Sequence, residues 1–272
     1  MCNNTIDLSA REVAINLLKE SISEINWENN HKKISSLKEE ILEHPLFKHK
    51  IIEKLKNKSF DLNQIQNIHL EYQHSIVEIF TDALLMAQFQ ARQLDSKLFP
   101  TIKMYPRFLI AFNINDEFGL SSEHNNYKNT PLNAHFCLFT KVLTDLKISE
   151  QKKAEYKVSQ EANDVRNFLE ATYSEYTKII IALAIAEQQV ITFSPPLKKA
   201  VKDLNINVKQ GYYDVHGTTD DRTSSAADDL HEEDLWLLMN HSLHLTNFEK
   251  LKELAIEYCD IWHTFWNKMD QI

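Results

Sequence analysis

Glycine is almost missing from this sequence. Only 3 of the 272 residues are glycine, and only 6 are proline. Tight hairpin turns and phosphate-binding loops depend on glycine, so hairpin-rich sheets and nucleotide-binding α/β folds are disfavoured. Long helices joined by short irregular segments are the architecture that such a chain can form.

Apolar residues recur at helical spacing through most of the chain, and strand-like alternation is nearly absent. The clearest helical patterns cover residues 76–89, 135–146, 165–191 and the amphipathic, aromatic-rich stretch 248–269. Clusters of Pro, Gly, Asn and Ser predict breaks at 44–47, 57–63, 98–106, 119–131, 194–196 and 209–211. These breaks divide the chain into about seven to nine helices.

A single all-α domain over residues 1–272 is the organisation that these patterns predict. Residues 1–35 read as an N-terminal helical extension, with the Asn-rich stretch 27–33 as a joint, and residues 40–265 as the core. The chain contains no internal repeat and no linker long enough to require a second domain. We expect the aromatic-rich 248–269 helix to pack into the core.

The charge, hydropathy and cysteine content of the chain limit its expected partners and its expected location in the cell. A formal net charge of −9 disfavours a nucleic-acid binder. The longest apolar run, residues 179–186, is much shorter than the roughly 20 residues of a membrane span. No basic and apolar leader opens the sequence, and the three cysteines form no CxxC pair. We expect a cytoplasmic protein that acts on a small molecule, with a homodimer left open.

Glu187 is the first candidate for chemistry because it directly follows the apolar run 179–186. A buried carboxylate is costly unless a metal, a cation or a polar network compensates its charge. Glu187 is therefore either a metal ligand, part of such a network, or a surface residue on a helix that emerges at Gln188 and Gln189.

Two further residues are unremarkable when taken alone. His135 opens the helix after Pro131, where a surface or capping role is common. Glu117 closes the helix before Gly119, where a solvated carboxylate is common. Neither residue would be singled out without its neighbours.

His216 and Asp220 stand four residues apart, so on a helix both side chains share one face. An imidazole and a carboxylate in that arrangement suit a first-row metal. An ordinary His–Asp hydrogen bond near a helix start explains the pair equally well. The next position on the same face is Thr223, which offers only a hydroxyl.

Two other motifs are weak. Residues 71–74 have the Glu-x-x-His spacing of di-iron bundles, but no second copy accompanies them. Residues 231–235 begin like a zinc-protease helix, but Leu235 stands where the second histidine would be required. No Gly-x-Ser-x-Gly elbow is present, so serine hydrolase chemistry is unsupported.

Taken in order, the segments resemble the haem-oxygenase-like di-metal oxidases, the group that includes the chlamydial death-domain-associating protein. The segments that carry this resemblance are 43–50, 72–87, 113–119, 134–139, 182–190 and 212–222. Their order and approximate spacing extend over residues 40 to 265. The resemblance implies a haem-oxygenase-like bundle of about seven core helices.

The resemblance also implies a set of metal ligands. Members of this group hold two metal ions with two Glu, three His and one Asp. Five of the six positions match here in residue type: Glu117, His135, Glu187, His216 and Asp220. The sixth falls on Thr223, so the second metal site is altered, with Asp221 and His231 as candidate substitutes.

By the same resemblance, His135, Glu187 and His216 would hold one iron. The other metal would be held by Glu117 and Asp220, with Glu187 as a bridging ligand. The implied activity is oxidation, with dioxygen as co-substrate, of a small organic acid, an amine or a side chain of the protein itself. Manganese is an alternative to iron at the oxygen-rich position. The lysine that this group uses after the buried glutamate is missing, since Leu197 occupies its position beside Lys198.

Other functions on the same scaffold stay open. A metal-free or thiaminase-like enzyme would use Cys137 as nucleophile, although a thiol in an apolar helix is usually inert packing. A non-catalytic interaction protein, related to the death-domain-associating protein, is a further alternative. A haem-binding oxygenase would need one proximal histidine, and nothing distinguishes one among His44, His49, His69 and His74.

Overall fold

The protein is described from a computed structural model that places residues 9–120, 130–207, 211–215 and 227–272, with side chains from residue 230 onward in the last range. All regular structure in these ranges is helical, so the all-α prediction is confirmed. The α-helices are α1 Ala10–Glu20, α2 Glu24–Leu42, α3 Ile51–Lys56, α4 Leu62–Tyr72, α5 Phe80–Gln90, α6 Met104–Glu117, α7 His135–Asp145, α8 Glu150–Glu155, α9 Gln160–Ala171, α10 Tyr176–Asp203, α11 Tyr212–Val215, α12 Ala227–Ser242 and α13 Phe248–Met269.

Helix α10 lies at the centre of this bundle. It packs against α3, α5, α12 and α13, and every residue from 179 to 186 is buried. Among the described residues α10 is the helix that is long and apolar enough to cross a membrane, yet 78% of its most apolar window is buried inside the protein. That burial is compatible with the core helix of a soluble protein.

The predicted break at residues 194–196 is wrong. Helix α10 continues through Pro195 and Pro196 to Asp203. An interior proline costs a helix about 3 kcal/mol because it lacks an N–H donor and crowds the preceding turn. Here Phe193 and Leu197 are both buried on either side of the prolines, so burial of apolar surface on both sides outweighs the local penalty.

The N-terminal joint is also misplaced in the sequence prediction. Helix α2 runs without interruption from Glu24 to Leu42, straight through residues 27–33. The chain instead turns between α1 and α2, where Ser23 caps α2 by accepting a hydrogen bond from the backbone of Asn26. The Asn-rich residues therefore lie inside α2, and the boundary between α1 and α2 is set by the capping residue Ser23.

The helix count of seven to nine is too low for the described residues, which contain thirteen α-helices. Short breaks that carry little Pro or Gly were missed, as at residues 172–175 within the predicted helix 165–191. A π-helical turn, Gln73–Val77, likewise separates α4 from α5. The predicted core role of 248–269 is confirmed, since α13 buries Trp262 and Trp266.

The turn after α6 decides where the next helix starts. Gly119 follows Glu117 and has a φ of +68°, a conformation that glycine adopts without a Cβ penalty. A Cβ built at Gly119 would lie 2.5 Å from the backbone carbonyl carbon of Asn133. The segment just before α7 is therefore packed directly on the end of α6, and it brings His135 to Glu117.

Candidate metal centre

Helix α6 presents two polar side chains on its buried face. Asn113 and Glu117 are four residues apart, so they stack along one side of the helix. Glu117 is only 7% exposed although it is the last residue of the helix. The solvated helix end considered from sequence is therefore wrong for Glu117.

His135 meets this face from the first position of α7. Its ring is 3% exposed, so a surface role is wrong, and its Nδ1 lies 2.9 Å from Oε1 of Glu117. An ionised carboxylate can only accept a hydrogen bond. Nδ1 therefore carries the hydrogen and donates a hydrogen bond to Glu117. In the neutral ring Nε2 then keeps its lone pair, and it lies 3.8 Å from Oδ2 of Asp116.

Glu187 reaches the same face from α10. It is 2% exposed, and Asn113 donates a hydrogen bond from Nδ2 to its Oε1 at 2.7 Å. The alternative that α10 surfaces after Glu187 is wrong, because Gln189 is fully buried. Asn113 therefore links Glu187 to the helix that carries Glu117.

Three of the five predicted ligands are thus brought together by α6, α7 and α10. The other two, His216 and Asp220, lie outside the described residues, as do Thr223 and the candidate substitute Asp221. The chain on either side of them is described: α11 packs against α7 and α10, and α12 packs against α6 and α10. His231, the other candidate substitute, is buried on α12.

Two oxygen atoms at this site are buried without a hydrogen bond in the described part of the chain. They are Oδ1 of Asn113 and Oδ2 of Asp116. Buried polar atoms are rarely left unsatisfied, so each such atom needs an explanation. Neither residue was singled out from the sequence as a site member, although both lie in segment 113–119, which also contains Glu117.

The donor set fits a divalent first-row cation in type and burial. It combines two carboxylates and one imidazole, all shielded from water. Within the described ranges, no group of three or more His, Cys, Asp or Glu side chains is arranged closely enough to hold an ion by itself. A complete coordination shell would therefore require the two ligands predicted on residues 216–226.

A buried histidine and tyrosine pair lies on α4 and α11. Nδ1 of His69 donates to the backbone oxygen of Ile65 at 2.7 Å, so Nε2 accepts from the hydroxyl of Tyr213 at 2.6 Å. Burial lowers the pKa of His69 to about 4, and burial also raises the pKa of Tyr213, with the neighbouring Tyr72 adding to the effect. Both rings are neutral at neutral pH.

Three tyrosines on α4 and α11 are core residues. Tyr72, Tyr212 and Tyr213 are all buried. The hydroxyl of Tyr72 donates to Oε1 of Gln189 at 3.1 Å, two residues along α10 from Glu187.

Two other residues discussed from sequence have clear environments. Lys198, next to the missing lysine position, is buried and pairs with Asp214 through a 2.8 Å contact between Nζ and Oδ1. Cys137 is exposed, so its description as buried packing is wrong, although it lies on α7 two residues after His135.

The Glu-x-x-His motif at residues 71–74 has a structural explanation in the fold. Glu71 accepts hydrogen bonds from the hydroxyls of Tyr156 and Ser159, both at 2.8 Å. His74 lies 3.0 Å from the side-chain oxygen of Asn163. These contacts join α4 and the π-helical turn to α9 and to the residues between α8 and α9, which is a structural role.

No protein-family model and no curated protein matches this chain.

Proposed function

We propose that this protein is a metal-dependent oxidase that uses dioxygen to oxidise a small organic acid, an amine or one of its own side chains, as in the haem-oxygenase-like di-metal oxidases. The observation that carries the proposal is the convergence of Glu117, His135 and Glu187 on the buried face of α6. Without a cation, this arrangement would place two carboxylates in a largely apolar interior at considerable cost.

The residues that would hold the metal are Glu117, His135 and Glu187, completed by His216 and Asp220. Iron is the preferred ion because imidazole and carboxylate ligands together suit it, and manganese is the alternative. When bound, reduced iron supplies the electrons and the open positions that dioxygen activation requires. Because Thr223 replaces the sixth ligand, we expect the two metal positions to differ in affinity.

The chain's own residues prepare these ligands. Glu117 fixes the tautomer of His135 so that Nε2 presents its lone pair, and such orienting contacts raise the affinity of an imidazole for metal. Asn113 holds Glu187 in place by donating a hydrogen bond to one of its carboxylate oxygens. The buried faces of α6, α7 and α10 around these groups shield the reacting atoms from water.

Metal analysis after anaerobic loading with ferrous iron tests the proposal. We expect about one to two ions per chain in the wild-type protein and consumption of dioxygen on exposure to air. His135→Ala and Glu187→Gln should each lower the iron content and abolish the oxygen consumption. Intact-mass measurement after turnover then separates oxidation of the protein itself from oxidation of an added substrate.

Glu71→Gln is the matched control, since Glu71 is another buried glutamate on a helix but has hydroxyl donors from Tyr156 and Ser159. This variant should load iron like the wild-type protein. Wild-type protein that binds no more iron than the His135→Ala variant would overturn the proposal, provided that circular dichroism shows both to be folded.

A further inference from the structure

The outer faces of α5 and α6 form an exposed apolar patch. Five large side chains there are between 37% and 54% exposed: Leu85, Phe89, Met104, Phe108 and Phe112. They are contiguous, since the first four line one groove between the two helices and the ring centroids of Phe108 and Phe112 lie 5.3 Å apart. Together they expose roughly 500 Å², as much as the largest apolar patch on a typical monomer, and such patches commonly mark an interaction site.

Arg107 lies within this patch and fixes the register of the two helices. Its Nε donates to the backbone oxygen of Gln88 at 2.8 Å, and its Nη2 donates to that of Phe89 at 3.3 Å. Nε2 of Gln88 donates in return to the backbone oxygen of Arg107 at 3.3 Å. The guanidinium is thus bound to the α5 backbone, and residue 107 of α6 lies level with residues 88 and 89 of α5.

The exposed face of α5 has opposite charges at its two ends. Asp82 lies in the first turn of α5, and Arg92 lies in the 3₁₀ turn that follows the helix. Both are exposed, and the guanidinium carbon of Arg92 lies 4.1 Å from the ring centroid of Phe89. The spacing of Asp82, Leu85, Phe89 and Arg92 along the chain puts them in one stripe.

This stripe is complementary to itself when a second copy runs antiparallel to it. With a two-fold axis level with residue 87, Asp82 of each copy faces Arg92 of the other. Leu85 of each copy then faces Phe89 of the other. The ion pairs lie at the border of the contact and the apolar pairs lie at its centre, as in stable interfaces.

The same axis also matches the exposed side chains of α6. The register fixed by Arg107 puts residue 108 of α6 level with residue 87 of α5. Phe108 therefore lies at the axis and faces Phe108 of the second copy. Met104 of each copy faces Phe112 of the other, and a thioether beside an aromatic ring is a favourable contact.

We propose that the exposed face of α5 and α6 is the interface of a homodimer, in which the second copy packs antiparallel across this two-fold axis. With the polar residues Asp82, Gln88 and Arg92 at its border, each face approaches the roughly 800 Å² that a standard interface buries per partner. The occupant is a second copy because one register matches the apolar contacts of both helices and the charges at both ends of α5. Asn113 and Glu117 lie on the buried side of α6, so the interface is separate from the candidate metal centre.

Sedimentation equilibrium of the full chain tests the interface. The wild-type protein should sediment as a dimer of the 31.8 kDa chain. Phe108→Glu places two like charges at the axis and should raise the dissociation constant about hundredfold or more. Leu62→Glu is the matched control, since Leu62 is a similarly exposed residue on α4, and this variant should stay dimeric. Circular dichroism checks that each variant is folded.

Charge reversal at the ends of α5 tests the register. Asp82→Arg and Arg92→Asp each place like charges opposite one another, so each variant alone should dimerise about tenfold more weakly. An equimolar mixture of the two variants should recover the wild-type affinity, because the arginines of one copy then face the aspartates of the other.

Three results would each overturn the proposal. The first is a wild-type protein that is monomeric at about 100 μM, which would leave the patch to a different partner. The second is a Phe108→Glu variant that dimerises like the wild-type protein, since the dimer would then use another face. The third is a mixture of Asp82→Arg and Arg92→Asp that associates no better than either variant alone.

Discussion

Nδ1 of His135 lies 2.9 Å from Oε1 of Glu117, and both side chains are buried where α6 ends and α7 begins. The contact joins residues on two helices that are separated in sequence by a turn and by part of the chain outside the described residues. It gives Glu117 a role that the ligand pattern did not predict, because in this conformation the carboxylate orients the imidazole.

Removing this acceptor should destabilise the protein in the presence of a chelator. Glu117→Ala leaves the buried Nδ1–H of His135 without its partner, which costs about 1–3 kcal/mol, whereas Glu117→Gln keeps an oxygen acceptor and should cost about 1 kcal/mol or less. Urea unfolding with EDTA measures both free energies. Equal unfolding midpoints for the two variants would contradict this account of the contact.

Gly119→Ala should damage the same junction. The new Cβ would meet the backbone of Asn133 at 2.5 Å, at a positive φ that disfavours any side chain, so we expect a loss of about 1–3 kcal/mol. Gly211→Ala is the matched control, since a Cβ there meets nothing within 4 Å. Thermal unfolding measures the melting temperatures of both variants. A similarly small decrease in both would contradict the close packing of residue 133 on the end of α6.

The hydrogen bond between Tyr213 and His69 should contribute measurably to stability. Tyr213→Phe leaves Nε2 of the buried His69 without a donor, and we expect a loss of about 1–3 kcal/mol in the free energy of unfolding. Tyr105→Phe is the control, because the Tyr105 hydroxyl makes no hydrogen bond in the described ranges. Urea unfolding at neutral pH measures both, and an unchanged Tyr213→Phe variant would rule out the assigned contact.

Stability should fall as the pH is lowered from about 6.5 to about 4. Burial lowers the pKa of His69 and of His241 from 6.5 to about 4. Over that window the rings are protonated in the unfolded chain and neutral in the folded protein, so protonation favours unfolding. The contribution is complete above pH 6.5 and is lost by up to about 1.4 kcal/mol per pH unit for each ring.

Unfolding free energies measured between pH 7.5 and pH 4.5 test this dependence. His241→Gln should flatten the slope, because Gln can still donate to Ser21 but does not titrate. His31→Gln, at an exposed position, should leave the slope as it is in the wild-type protein. A His241→Gln variant with the wild-type slope would contradict the assignment.

Some helix ends and site residues could be predicted from the sequence, and others could not. The boundaries at Glu117 and His135 were predicted correctly because glycine and proline turns fix them locally. The continuation of α10 through Pro195 and Pro196 was not predicted, because the burial of Phe193 and Leu197 depends on the packing of the whole core. Asn113 and Asp116 were overlooked as site members because neither side chain is unusual until Glu187 and His135 are placed beside it.

The sequence by itself determined the all-α class, because so little glycine with helical apolar spacing leaves few other ways to bury a core. It also identified Glu117, His135 and Glu187 as candidates. Only the tertiary structure decided that these three share one buried face. Local spacing orders residues along one helix, but contacts between helices far apart in sequence depend on packing of the entire chain.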